Sequence, residues 1–139
     1  MNYYFITGTS SGIGKALVEN LVKTDSNKIV GYARRKSITH SQYCHQVIDL
    51  SDINAVQQLT FPALEKADKI VLINNAGTLG DIKHFGDIDT KDLVQALNVN
   101  TTSLAIMTNT FIKEYQDIDC KKIIINISSG AASSPYDGW

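Results

Sequence analysis

Residues 7 to 14 read TGTSSGIG, and they stand between a short apolar run at residues 1 to 6, broken only by Asn2, and an amphipathic pattern that begins at Ile13. Strand, glycine turn, helix is the geometry that holds a phosphate. Gly8 lets the chain turn sharply out of the strand, Gly12 lets backbone approach a pyrophosphate, and Gly14 lets the helix pack closely on the sheet. N–H groups at the start of the helix then face the anion, with the positive end of the helix dipole behind them. A glycine triad alone also fits an ordinary tight turn, so the weight lies on its context.

That context extends along the chain. Five β runs, at residues 3 to 7, 28 to 33, 46 to 49, 69 to 74 and 122 to 128, alternate with helical patterns, which argues for βαβ units. The fourth and fifth runs are apolar on both sides, as expected for a buried parallel sheet covered by helices on both faces. Residues 13 to 23 read as a helix with Ile13, Ala16, Leu17, Asn20 and Leu21 on one face. Ser51-Asp52 caps a helix through Leu59, stopped by Phe61-Pro62. A longer helix begins at Thr90 as N-cap, with Leu93, Leu97, Asn100, Leu104, Met107, Phe111 and Tyr115 as an inward stripe. An amide on such a stripe must find a partner, since leaving it unpaired costs a few kcal/mol.

With 139 residues, 43% of them hydrophobic, and no repeat or linker, the chain is expected to form one domain. Its 13 basic and 14 acidic side chains give a net charge of −1, which points away from nucleic acid and anionic membranes as partners. The basic pairs Arg34-Arg35 and Lys121-Lys122 are too short for a binding patch. Two distant thiols, Cys44 and Cys120, fit a reducing cytoplasm better than a disulfide. The first residues carry no charged leader, and no segment approaches the ~20 apolar residues of a membrane span, so a soluble, unprocessed start is expected. His40, Cys44 and His45 are close in sequence but lack a fourth ligand, and no nucleophile elbow is present, so no metal site or hydrolase chemistry is expected.

Arg34 lies twenty residues beyond Gly14, at the end of the second strand beside the place of an adenosine ribose. An acidic residue there would bond the ribose 2′-OH of NAD, whereas a guanidinium pairs with a 2′-phosphate, so NADP(H) is favoured. A solvated surface pair ending a strand is the less favoured alternative for Arg34-Arg35, and less for Arg34 than for Arg35. Asp49-Leu50 follows the third strand, placed to bond the adenine amino group and flank its ring, and a helix-cap or turn role explains Asp49 equally well. Asn74-Asn75-Ala76-Gly77 ends the fourth strand at the same carboxyl edge, where open α/β sheets bind ligands.

TGTSSGIG, NNAG, the NVN at residues 98 to 100 and the NISS at residues 126 to 129 resemble, in order and rough spacing, the short-chain dehydrogenase/reductase family. The likeness runs through the whole chain. NNAG followed by Thr78-Leu79-Gly80-Asp81, and the tail Pro135-Tyr136-Asp137-Gly138-Trp139, look most like the sepiapterin reductase and benzil reductase branch. The resemblance implies a Rossmann-like, doubly wound parallel sheet of strand order 3-2-1-4-5. It implies an NADPH-dependent reductase of a ketone or diketone, in which hydride passes to the carbonyl carbon while a tyrosine protonates the oxygen. Carried over by position, Gly8, Ser10, Gly12, Ile13, Gly14, Arg34, Asp49, Leu50, Asn75, Ala76 and Gly77 would line the cofactor. Ser129 resembles the catalytic serine and Asn100 the asparagine that holds a water in the proton relay. Ser128 and Ser129 are also explicable as strand-end residues bonded to their own backbone.

The family's tyrosine, with a lysine four positions later, does not occur in this sequence. In the branch it resembles, that tyrosine follows the Gly-Trp pair, here Gly138-Trp139. Tyr136 stands too close to Ser129 and has no lysine after it, so an aromatic wall or loop role is preferred. The chain is therefore expected to be the N-terminal portion of a longer, homo-oligomeric enzyme, inactive alone and with one apolar sheet face bare. A non-catalytic dinucleotide-binding or sensing module is the alternative, and a half-domain that folds only against another chain is a third. The carbonyl substrate is not legible.

Overall fold

The computed structural model describes residues 1 to 134 and residue 136. Five strands, β1 (Asn2–Thr7), β2 (Asn27–Ala33), β3 (Tyr43–Val47), β4 (Lys69–Asn74) and β5 (Lys121–Asn126), form one parallel sheet in the order β3-β2-β1-β4-β5. The order reverses beside β1, so the carboxyl ends of β1 and β4 diverge into a crevice. Helices α1 (Gly12–Leu21), α2 (Ile53–Gln57), α3 (Thr90–Leu97) and α4 (Ser103–Tyr115) connect the strands.

Side-chain alternation along the central strands produces two cores. Phe5, Ile70 and Leu72 face Val56, Phe61, Met107, Phe111 and Tyr115 on the α2 and α4 side. Ile6, Val71 and Ile73 face Val18 of α1 on the other side, with Ile29, Ile38 and Tyr43. The first core is strongly aromatic: Phe5 meets Phe61 edge-on at 5.0 Å between centroids, and Phe111 meets Tyr115 at 5.3 Å. Such pairs add about 0.5–1.5 kcal/mol each beyond burial. The Tyr115 hydroxyl donates to the Pro62 carbonyl at 2.7 Å, which ties the chain after Phe61 to the end of α4.

Several elements differ from the sequence reading. The third strand runs over Tyr43–Val47 rather than residues 46 to 49, because its pairing with β2 begins where Tyr43 meets Ile29. Its mixed residues YCHQV give little apolar signal. Helix α1 turns Gly14 and Val18 inward and leaves Ile13, Ala16 and Asn20 exposed, since Gly14 must sit against the loop it leaves. Helix α2 is shorter than expected, Ile53–Gln57, with the Asp52 carboxylate accepting from the N–H groups of Asn54 and Ala55.

The long helix is not continuous α-helix. Asp89, not Thr90, caps α3, and a π-helical turn at Asn98–Thr102 separates it from α4. Within this turn Ser103 Oγ donates to the Val99 carbonyl at 2.9 Å, and the Asn98 amide donates to the Ser51 carbonyl at 3.2 Å. Side chains thus compete for backbone groups, which is how helices are locally unwound. The expected inward stripe is buried only at Met107, Phe111 and Tyr115, while Leu97 is exposed. The fifth strand is shorter than expected and is an edge strand whose residues are largely exposed, not buried on both faces. Ile124, Ile125 and Ile127 remain exposed, and since Ile124 and Ile125 point to opposite sides, β5 is uncovered on both sides of the sheet rather than on the one apolar face expected. No helix among the described residues is long and apolar enough to cross a membrane.

Candidate cofactor cleft

The crevice at the carboxyl edge is a cleft of about 350 Å³. Nine residues singled out from sequence line it: Gly8, Ser10, Ile13, Arg34, Asp49, Leu50, Asn75, Ala76 and Gly77. Gly12 and Gly14 belong to the same turn without being part of the lining, and their geometry separates two uses of glycine. At Gly12, φ is +55° and a Cβ would meet nothing within 4 Å, so the backbone is open to a ligand. At Gly14, a Cβ would lie 2.4 Å from the Gly8 carbonyl oxygen and 2.5 Å from Asn75 Nδ2, so the helix touches its own entry loop there.

Thr7, the last residue of β1, organises the wall. Its buried Oγ1 accepts from the N–H groups of both Asn75 and Ala76 at 2.9 Å. In return, Asn75 Nδ2 donates to the carbonyls of Thr7 at 2.9 Å and Gly8 at 3.3 Å. The glycine turn and NNAG are thereby locked to each other at the switch point. Thr7 was not singled out from sequence; it acts from beneath the cleft. Ser11, Tyr32, Ala33, Ile48, Thr78, Gln95 and Val99 also line the cleft and were likewise missed.

Charge and hydrogen bonding differ along the cleft. Helix α1 starts at Ser11 with no side-chain cap, so N–H groups of its first turn are not satisfied by that hydroxyl. Arg34 is exposed at the rim. Asp49 accepts from the Ser51 N–H at 2.9 Å and its hydroxyl at 2.7 Å, and these bonds hold its carboxyl below the usual range. Asp49 is thus ionised at neutral pH and is both an Asx-turn residue and a wall of the cleft. Burial pushes the Tyr32 phenol well above its ordinary value, leaving it a neutral part of the floor.

The two catalytic candidates lie near the cleft rather than in its lining. Asn100, in the π turn, is exposed and bonds the backbone of one residue on both sides: Oδ1 accepts from the Thr78 N–H at 2.9 Å and Nδ2 donates to the Thr78 carbonyl at 2.7 Å. It therefore sits directly behind Gly77 and Thr78. Ser129 caps a short 3-10 turn, Gly130–Ala132, with Oγ accepting from the Ala131 N–H at 3.2 Å. It stays at the same sheet edge because Ile127 N–H donates to the Asn74 carbonyl at 2.9 Å and Asn74 Nδ2 donates to Asn126 Oδ1 at 2.8 Å. His84 and Phe85 border a second hollow of about 270 Å³ between the loop after NNAG and α3. Pro135 and residues 137 to 139 of the tail motif lie outside the described residues.

The family model for short chain dehydrogenase matches residues 2–139. The chain belongs to the short-chain dehydrogenase family. Among relatives of this short-chain dehydrogenase are benzil reductase ((S)-benzoin forming) of Bacillus subtilis, 31% identical over all of this chain and 59% of the relative, and sepiapterin reductase of Rattus norvegicus, 31% identical over 96% of this chain and 60% of the relative. These place it in the branch that the NNAG flank pointed to. A crystal structure of a short-chain dehydrogenase/reductase from Burkholderia vietnamiensis superposes with a TM-score of 0.86 at 21% identity, covering 99% of this chain and 68% of that one. The chain spans about three fifths of the length of the curated relatives named.

Proposed function

We propose that this chain is the cofactor-binding part of an NADPH-dependent reductase of a ketone or diketone. The observation that carries the reading is the open space above the Gly12 backbone, beside an uncapped helix start, with Arg34 rather than an acid at the rim of the adjoining cleft. The opening and the turn around it fit a pyrophosphate bound by backbone N–H groups. Arg34 would pair with the 2′-phosphate through its planar fork. Asp49 and Leu50 would border the adenine, and Asn75, Ala76 and Gly77 the remainder of the dinucleotide. When bound, the reduced nicotinamide supplies hydride to a carbonyl carbon.

The chain's own groups would orient that carbonyl. Ser129 carries the hydroxyl we assign to the substrate oxygen. Asn100 uses one donor and one lone pair on Thr78, which leaves one of each for a relay water. It also holds the peptide that follows NNAG. The relatives' names, benzil reductase and sepiapterin reductase, support a carbonyl substrate. The unpaired thiols Cys44 and Cys120 are in keeping with a reducing cytoplasm. Exposed Val94, Leu97 and Ile112 on α3 and α4 are compatible with a homo-oligomeric whole protein.

Fluorescence titration of the chain with NADPH and NADH tests the cofactor assignment. NADPH is expected to bind more tightly, and Arg34→Ala is expected to weaken NADPH by roughly tenfold or more, the worth of a charge-assisted pair, while leaving NADH nearly unchanged. Equal losses for both cofactors would remove the 2′-phosphate role of Arg34. Reduction of a diketone by a protein of the relatives' length tests the reaction itself.

A further inference from the structure

Thr9 lies between two cleft-lining residues, Gly8 and Ser10, yet it is completely buried. Its Oγ1 is 2.9 Å from the Tyr43 hydroxyl. Its carbonyl accepts from Ser37 Oγ at 3.3 Å. Thr9 is therefore held from two sides, by the first residue of the edge strand β3 and by the segment that carries Arg34, Arg35 and Lys36.

Tyr43 reaches Thr9 across β2, and Gly31 makes this possible. A Cβ on Gly31 would lie 2.2 Å from the Tyr43 hydroxyl oxygen, 2.6 Å from Cε2 of its ring and 2.6 Å from Thr9 Oγ1. Gly31 is an opening in the middle strand, filled by a phenol from one neighbour that meets a hydroxyl from the other. Phe at position 43 would fill much of the same space without a hydroxyl, so packing alone does not explain the phenol. The hydroxyl has a second partner, His45 Nδ1, at 2.9 Å. The phenol oxygen thus lies within hydrogen-bond distance of two polar groups, Thr9 Oγ1 and His45 Nδ1, and can donate to one while accepting from the other. Burial lowers the His45 pKa, which favours the neutral ring.

We propose that Tyr43, acting through the opening at Gly31, is a positioning residue for the bound dinucleotide. It fixes Thr9, and with it the backbone of the phosphate turn and the Ser37 end of the basic segment. The inference rests on the dinucleotide reading of the cleft. It adds a residue that touches no ligand and stands 34 positions from the turn it controls.

The test is NADPH titration of the 139-residue chain and of Tyr43→Phe, Thr9→Val, Thr9→Ser and the Thr9→Val/Tyr43→Phe double variant, at a temperature where circular dichroism shows each one folded. Tyr43→Phe and Thr9→Val should each weaken NADPH about fivefold, the equivalent of one hydrogen bond. The double variant should lose no more than either single one, and Thr9→Ser should bind like the parent. Adenosine 2′,5′-bisphosphate should lose the same factor, because the effect belongs to the phosphate side. Unchanged NADPH affinity in folded Tyr43→Phe, or losses that multiply in the double variant, would overturn the inference while leaving the cofactor reading intact. If Tyr43→Phe does not fold, the contrast between Thr9→Val and Thr9→Ser decides, and equal affinities for those two overturn it. A parent chain that binds neither NADPH nor NADH overturns the cofactor reading and this inference together.

Discussion

Gly12 and Gly14 stand two residues apart and are glycine for different physical reasons. A side chain at Gly12 would have room but would carry the strain of φ at +55°, whereas one at Gly14 would collide with the Gly8 carbonyl. Gly14→Ala is expected to destabilise the fold by about 2–3 kcal/mol through overpacking against rigid backbone. Gly12→Ala is expected to cost about 1 kcal/mol, since left-handed strain is partly offset by the less flexible unfolded chain. Urea unfolding of the two variants measures this order, and a larger loss at Gly12 would refute the packing account of Gly14. The glycines and their separate uses were legible in the sequence as a triad; the partners of Gly14 were not, the Gly8 carbonyl lying six residues before it and Asn75 sixty-one residues after it.

The glycine turn and the NNAG segment behave as one element although they come from different strands. Thr7 joins them with one oxygen that accepts two N–H groups. Thr7→Val keeps the shape and removes the acceptor, leaving two donors unpaired beside the sheet. A loss of about 2 kcal/mol is expected, with Thr7→Ser close to the parent. Hydrogen exchange at the Asn75 and Ala76 amides supplies the local readout: protection should fall in Thr7→Val by more than global destabilisation accounts for. Unchanged protection would mean that other groups hold this wall. The helix above it shows the same dependence on remote partners. Its three- and four-residue spacing was readable over residues 90 to 115, but the π turn at Asn98–Thr102 was not. Asn98 bonds Ser51 and Asn100 bonds Thr78, contacts that no local pattern encodes.

At the scale of the molecule, the sheet is covered unevenly. β1 and β4 are buried in the middle, while β5 pairs on one side only and leaves Ile124, Ile125 and Ile127 exposed. Apolar strand faces of this kind bind hydrophobic dyes and neighbouring chains. The chain is expected to enhance the fluorescence of anilinonaphthalene sulfonate under native conditions, and Ile124→Thr with Ile125→Thr is expected to reduce that emission without loss of cooperative unfolding. Emission indifferent to those substitutions would locate the dye elsewhere and count against an open face at β5. The sequence reading expected one bare apolar face and a β5 buried on both sides, whereas Ile124 and Ile125, which point to opposite sides, are both exposed. Apolar composition states what a strand needs, and the neighbours present decide whether the need is met.

Parallel pairing and the carboxyl-edge position of the cleft were determined by the sequence itself, because they follow from local patterns: a strand entering TGTSSGIG, apolar runs at β4 and β5, and helices between them; the strand order came with the family resemblance that the motifs carry. Nine of the sixteen lining residues were legible as well, carried by the motifs on which the family resemblance rests. Tertiary structure alone decided what holds those walls in place. Thr7 under NNAG, Tyr43 through Gly31 to Thr9, and Asn100 against Thr78 are pairs distant in sequence whose side chains give no periodic signal. A hydrogen bond is specific in distance and angle, and those two quantities exist only once the strands have been brought together.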